Sequence, residues 1–324
     1  MLFNPLQATD TTVIVPLHNT DVQYLKPCLN SINNQTVPIN VIIIDDASDK
    51  SYRDWILDYI EDKPNWKYVR HYFNQGVAIA RNTGLKLVKT PYVAFCDSDD
   101  TWYPNKLELQ LKNLYYGYAA DICGVTIDYR NDAGYPMTFR NAPVDLIKTL
   151  GDDANLIKFD RIYLQTDSDQ TKQLLQDLNL QSASEFIETD LLRVAYTKLI
   201  RFNASLCGSN AVFNTHILRK SGGFNPKFNG ADEWDALLNV ANDYHISVTP
   251  ENLCNYVRHV GSFSTTKIEH LRSVCEDIIY KHRKNLNDGE RVLLQSVETA
   301  TWAVEFEKLT FAPNTPYKII QYHG

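Results

Sequence analysis

Tyr92-Val93-Ala94-Phe95-Cys96-Asp97-Ser98-Asp99-Asp100 is an apolar, strand-like run that ends abruptly in three carboxylates within four residues. Acid side chains this close repel one another and raise each other's pKa unless a cation sits among them. A divalent metal is the natural partner, because hard cations such as Mg²⁺ take oxygen ligands and leave some positions for water and substrate phosphates. In an open α/β sheet, the carboxyl end of a strand is also where ligands bind. The structural alternative is an acidic turn that caps a helix beginning near Pro104. The surrounding chain decides between these two readings.

Toward the N-terminus, Thr12-Val13-Ile14-Val15-Pro16-Leu17 is a β-branched apolar run. Asn19, Thr20 and Asp21 then offer caps for a helix burying Leu25, Cys28, Leu29 and Ile32. The residues after this strand, Pro16-Leu17-His18-Asn19, are not a glycine-rich turn, so the dinucleotide fingerprint and the P-loop are both missing. Asn40-Val41-Ile42-Ile43-Ile44-Asp45-Asp46 is apolar on both faces, as expected of a strand covered on each side in a parallel sheet, and it too ends in acids. Tyr52, Trp55, Ile56, Tyr59 and Ile60 follow with the spacing of an amphipathic helix, and Lys67 to Tyr72 gives a third strand. Asn74-Gln75-Gly76 leads into a helix through Ala80-Arg81-Asn82, with Gly76 suited to a turn that a side chain would obstruct. After the acid cluster, Leu107, Leu111 and Leu114 mark another helix. Repeated strand and helix periods predict an α/β fold with a mixed, mostly parallel sheet flanked by helices. Its carboxyl edge would gather Pro16, His18, Asp45, Asp46 and Asp97 through Asp100 into one cleft.

Beyond the strand Asp121 to Ile127 the pattern loosens, and residues 128–201 read as a partly helical insertion that shapes the pocket of a second substrate. Regularity returns at Ser209-Asn210-Ala211-Val212-Phe213, with a short helix ending at Gly222-Gly223. Asp232-Glu233-Trp234-Asp235 opens a further helix, Ile246 to Thr249 and Cys254 to His259 are two strand candidates, and two helices close the chain, around Ile268 to His282 and Leu293 to Val304. This divides the sequence into a catalytic domain over 1–264 and a helical appendage over 265–324 that packs on the core or mediates homo-oligomerisation.

The formal net charge of −7 argues against a general nucleic-acid binder, so a nucleic-acid acceptor has no support from charge. The six cysteines lie far apart without paired metal-ligand spacing, as in reduced core residues of an intracellular protein. No run approaches the ~18 apolar residues of a membrane span, and the N-terminus lacks a signal-peptide layout. A cytoplasmic protein, with peripheral membrane association left open, is the expectation.

Taken together and in order, these motifs resemble the family-two inverting glycosyltransferases of GT-A fold, over roughly Thr11 to Ser264. The matching pieces are Val13-Ile14-Val15-Pro16 with Asn19, Ile44-Asp45-Asp46-Ala47-Ser48, Asn74-Gln75-Gly76 with Ala80-Arg81-Asn82, Asp97-Ser98-Asp99-Asp100, Gly222-Gly223-Phe224, Asp232-Glu233-Trp234-Asp235, and Arg258-His259 with Ser262 and Ser264. The resemblance implies a donor site at Pro16, His18, Asn19, Asp45, Asp46, Gly76, Arg81, Asp97, Ser98 and Arg258, with a UDP-sugar as donor and a saccharide hydroxyl as acceptor. Asp97 and Asp99 match the family's DxD motif, whose second acid coordinates Mn²⁺ or Mg²⁺ on the diphosphate; His259 is a further candidate ligand. The family's Glu-Asp pair, which supplies the general base, appears here as Asp232-Glu233. Position favours Glu233 as the base, with Asp232 second and open to use as a helix N-cap.

The residues also allow a nucleotidyltransferase, which would release pyrophosphate, and a non-catalytic nucleotide-sugar-binding scaffold. Each position has a plain structural counterpart as well: Asp45 and Asp46 as a solvated turn, Arg81 as a surface ion pair, His259 as a hydrogen-bonded core residue.

Overall fold

The computed structural model describes residues 11–115, 117–129, 142–144, 196, 199–200, 207–259, 262 and 266–287. Most of the expected insertion over 128–201 and the expected last helix near 293–304 lie outside the described residues.

Four parallel strands open the fold: β1 (Thr11–Leu17), β2 (Asn40–Asp45), β3 (Trp66–Arg70) and β4 (Tyr92–Phe95). They stand in the order β3-β2-β1-β4, and helices α1 (Val22–Asn33), α2 (Lys50–Ile60) and α3 (Val77–Leu87) make the crossovers. The sheet continues through β8 (Ala211–Asn214), which runs antiparallel to β4, then β6 (Ala120–Tyr129), β9 (Ile246–Arg258) and β5 (Thr101–Trp102), while β7 (Ala142–Val144) pairs with β6. The remaining α-helices among the described residues are α4 (Lys106–Tyr115), α5 (Thr215–Lys220), α6 (Asp232–Ala241) and α7 (Ile268–Arg283). None of the described helices is long and apolar enough to cross a membrane.

Alternation along the central strands shows why they are apolar on both faces. Ile14, Ile42, Ile44, Val93 and Phe95 pack on one side of the sheet with Ala78, Leu85, Leu218, Trp234 and Leu237. Val13, Val15, Val41, Ile43 and Ala94 pack on the other with Leu25, Leu29, Ile56, Leu107 and Leu111. Each Val, Ile, Leu or Phe side chain among them contributes about 1.5–3 kcal/mol on burial, so the alternating pattern fixes the register of these strands. Five of the six cysteines are buried and all are free thiols, in accord with their reading as core residues.

Three details differ from the sequence expectation. The two strand candidates near the end are one strand, β9, because its parallel pairing with β6 continues across an irregularity at Cys123 and Gly124. The two-residue strand β5 has no periodicity long enough to be read, yet its pairing of Thr101 with Asn255 anchors the far end of the acid loop. α2 begins at Lys50 after Asp49, two residues ahead of Tyr52, where the expected stripe starts.

Candidate active site

The acid loop hangs between two sheet pairings. Cys96 N–H donates to the carbonyl of Ile14 (3.0 Å), Asp97 N–H to Ser209 Oγ (2.8 Å), and Asp100 N–H closes a turn on the carbonyl of Asp97 (3.0 Å). This turn sends its acids to different places. Asp100 points inward, fully buried, and accepts from Ser209 Oγ (2.5 Å) and Val257 N–H (2.9 Å). Burial, reinforced by the charges of Asp99 and Asp97, holds its pKa well above the ordinary range. Asp97 and Asp99 stay partly open, with 26% and 24% of their side-chain surface exposed.

Asp99 Oδ2 lies 3.3 Å from His259 Nε2. The imidazole is oriented by stacking on Tyr24, with ring centroids 4.4 Å apart, and its backbone N–H donates to Ser262 Oγ (2.9 Å). Ligand atoms on adjacent octahedral positions of an Mg²⁺-sized ion, each at ~2.1 Å, lie about 3 Å apart, so this oxygen and nitrogen are spaced as a shared cation requires. The donor set, carboxylate oxygen with imidazole nitrogen, also suits Mn²⁺. Behind the loop, Asp100, Cys207 and Cys254 offer three further ligand atoms within 4.8 Å of one another. Burial pushes the Cys254 thiol up to about 11, so this group reads as packed, protonated core.

Arg81 joins the acid loop to α6. Its Nη2 donates to Asp97 Oδ1 (2.6 Å), and its Nη1 is shared between Asp232 Oδ2 (2.8 Å) and Glu233 Oε2 (3.1 Å). At 2% exposure it is no surface ion pair, which corrects that alternative. Asp232 is likewise not the N-cap: Ala231 occupies that position, and Asp232 is the first helical residue, accepting from Gly230 N–H (3.2 Å) as well as from Arg81. One cation thus faces three acids. Burial raises the Glu233 carboxyl to about 8, with Arg81 opposing and the charges of Asp232 and Asp97 adding to the rise. Asp232 is also raised, by burial first, against the pull of Arg81.

Gly208 makes the arrangement sterically feasible. A Cβ there would come within 2.3 Å of Arg81 Nη2 and 3.1 Å of Asp97 Oδ2. Gly208 and Ser209 are site residues that the sequence reading missed; they follow the least patterned part of the chain, and only the Gly-Ser pair itself hints at a tight approach.

The nucleoside-side candidates occupy the same sheet edge but make their bonds locally. Asp45 is buried and accepts from Ser48 N–H (2.7 Å), the Tyr68 hydroxyl and Arg70 Nη1. Burial works to raise its pKa, and these hydrogen bonds outweigh it, leaving the carboxyl below its usual value. Asp46 takes His71 Nδ1 (2.7 Å) and the N–H groups of Gln75 and Gly76 (2.9 and 2.7 Å). It thereby sets the loop in which Gly76 adopts φ +90°. Neither acid is a solvated turn. Pro16 sits in β1 beside Ile44, while His18 and Asn19 are exposed or nearly so. Asn19 adopts φ 50°, and its N–H donates to Ser48 Oγ (2.9 Å). Ser98 Oγ meets Thr20 Oγ1 (2.5 Å), tying the acid loop to the β1–α1 turn, and Arg258 ends β9 at 7% exposure. The site therefore holds an Arg81–Asp97–Asp232–Glu233 cluster, an Asp99–His259 pair, and Asp45 and Asp46 bonded within their own loops.

Comparison with known proteins gives a consistent picture. The profile of Glycosyl transferase family 2 matches residues 12–178. The uncharacterized glycosyltransferase YibD of Escherichia coli (strain K12) is 35% identical over 142 residues, covering 43% of this chain and 40% of that protein. Glycosyltransferase GlyA of Streptococcus pneumoniae serotype 4 is 36% identical over 112 residues, covering 34% and 16%. The chain thus matches less than half the length of these curated relatives. Among solved structures, Staphylococcus aureus TarS 1-349 in complex with UDP-GlcNAc aligns with TM-score 0.56 and 19% identity, covering 94% of this chain and 76% of that one. The mannosyltransferase PcManGT from Pyrobaculum calidifontis in complex with GDP-Man and Mn²⁺ aligns with TM-score 0.51 and 18% identity, covering 94% and 79%. These likenesses show the fold, and the family match spans more than half of the sequence. The chain belongs to glycosyl transferase family 2.

Proposed function

We propose that the protein is a metal-dependent inverting glycosyltransferase that moves a sugar from a nucleoside diphosphate sugar, of UDP type, to a hydroxyl of a glycan acceptor. The observation that carries this reading is the Arg81 bridge, which brings Asp97 of the acid loop and the Asp232-Glu233 pair to one guanidinium. Family membership, and the nucleotide-sugar complexes of TarS and PcManGT, support the substrate class.

In this reading Asp99, Asp97 and His259 hold Mn²⁺ or Mg²⁺, which when bound supplies a counter-charge for the departing diphosphate. Glu233, with Asp232 as second candidate, accepts the proton of the acceptor hydroxyl as its oxygen bonds to the anomeric carbon and the bond to the diphosphate oxygen breaks. Pro16, His18, Asn19, Asp45, Asp46 and Gly76 form the nucleoside end, and Ser98, Arg81 and Arg258 the diphosphate end. The catalytic domain is residues 1–264, with 128–201 on the acceptor side and 265–324 as helical appendage.

The test is a panel of UDP-, GDP- and dTDP-sugars incubated with Mn²⁺, with and without saccharide acceptors, scored for the released nucleotide. Metal-dependent release of a nucleoside diphosphate, accelerated by acceptor, is expected. Pyrophosphate release from a nucleoside triphosphate and sugar phosphate would identify a nucleotidyltransferase instead, and binding without release a scaffold.

A further inference from the structure

Asp235 is the third acid of α6, one helical step beyond the Asp232-Glu233 pair, and its surroundings differ from theirs. Its buried carboxylate accepts from His282 Nε2 (2.7 Å) and from Lys281 Nζ (2.6 and 2.9 Å), both in the last turn of α7. These donors outweigh the cost of burial and hold its pKa below the ordinary value. The other nitrogen of His282, Nδ1, lies 2.8 Å from the Tyr196 hydroxyl, and His282 is 1% exposed. The two ring nitrogens thus link the Asp235 carboxylate to the Tyr196 hydroxyl. The residue between the two sets of acids is held as well: Trp234 Nε1 donates to the carbonyl of Leu199 (2.9 Å).

α6 therefore receives directional restraints from α7, whose His282 also meets Tyr196, and from Leu199. They add to the bonds from Arg81 that hold Asp232 and Glu233 in the first turn, and they act further along the helix, where the packing of Leu237 and Leu238 is apolar and non-directional. Charge-assisted hydrogen bonds are the stronger and more geometrically demanding contacts available to fix rotation about the helix axis.

We propose that His282, assisted by Lys281 and Tyr196, is a positioning residue: the Tyr196–His282–Asp235 chain sets the rotation of α6 and through it the aim of Glu233 at the acceptor hydroxyl. The inference rests on the reading of Glu233 as base given above. It makes α7 a part of the catalytic geometry.

The experiment compares His282→Phe, His282→Gln and Lys281→Met in the full chain. Turnover is measured with the donor found most active in the panel, binding with UDP and Mn²⁺, and local order by amide hydrogen exchange. Because misplacing a reacting group by about 1 Å can cost about 100-fold, His282→Phe is expected to lower kcat between about 10- and 100-fold, with donor KM and UDP affinity within about twofold of wild type. Exchange should rise across residues 232–241 and stay unchanged in β1 to β4. His282→Gln, which still offers Asp235 a donor, should recover most of kcat. Lys281→Met should show a smaller loss of the same kind, and it decides the matter if His282→Phe does not fold. Unchanged kcat, unchanged exchange across 232–241, or kcat and UDP affinity falling together would overturn the proposal. Glu233→Gln assayed in parallel separates the two readings: normal turnover there refutes the base assignment, while the exchange data still report whether His282 tethers α6.

Discussion

Asp45 at the end of β2 and Glu233 at the start of α6 are both buried acids, and burial pushes both pKa values up, yet their partners send them in opposite directions. Asp45 is given its own donors, from Ser48, Tyr68 and Arg70, and its pKa falls below the ordinary value. Glu233 has a share of one Arg81 nitrogen, with Asp232 on the same nitrogen and Asp97 on the other, and its pKa rises to about 8. A carboxylate with its hydrogen bonds satisfied is held in its charged form. One that competes for a cation keeps a proton affinity suited to general-base work near neutral pH.

The comparison is broken most severely by removing the shared cation. Arg81→Met leaves Asp97, Asp232 and Glu233 without their counter-charge, and stripping one partner from a buried ionic cluster typically costs about 3–5 kcal/mol. We expect that loss in denaturant unfolding, together with loss of turnover; a variant as stable as wild type would mean the acids are already neutral without Arg81. Asp99→Asn probes the partly exposed acid of the loop. It should abolish turnover in Mn²⁺ while changing stability by no more than about 0.5 kcal/mol, the usual range for surface substitutions. Near wild-type rates in that variant, or a wild-type enzyme indifferent to chelation, would remove the metal from the account.

Smaller effects sharpen the contrast through pH. The folded pKa of Asp45 lies below its ordinary 3.8, so its stabilisation is full above that value and is lost as pH falls through the folded pKa. Asp45→Asn should therefore cost about 1–3 kcal/mol at neutral pH, and the gap to wild type should close in acid. For Glu233 the sign reverses. Its folded pKa is raised from 4.5 to about 8, so the stability contributed by the protonated form is complete below 4.5 and is lost as pH rises to about 8. Glu233→Gln, which stays neutral, should gain on wild type across that window. A stability difference that does not vary with pH would contradict the raised value.

The sheet was legible because its strands are buried on both faces: runs such as Val41 to Ile44 carry the parallel architecture in their own composition. The ends of β2 and β4 could be placed because the apolar run stops where the acids begin. Pairing is what local sequence does not carry. Nothing near Thr101 announces β5, since that strand exists through Asn255, 154 residues away. Arg81 could be associated with the donor from its motif, but its burial among three acids depends on Gly208 and on α6, which lie far along the chain. The inward turn of Asp100 likewise depends on Ser209 and Val257. The sequence offers His259 only as a further candidate metal ligand; its approach to Asp99 and its stacking on Tyr24 of α1 come from pairings far apart in the chain.

The central claim is that the acid held at the start of α6 by a shared arginine is the base. It is tested most directly by kcat of Glu233→Gln beside wild type, with UDP affinity in Mn²⁺ measured on the same preparations. Removing a general base typically costs about 10²–10⁴ in rate, so the account predicts a fall of that order in kcat with nucleotide affinity nearly unchanged. A Glu233→Gln enzyme that turns over at the wild-type rate would contradict it, and an active Glu233→Gln beside a dead, nucleotide-binding Asp232→Asn would move the role to Asp232.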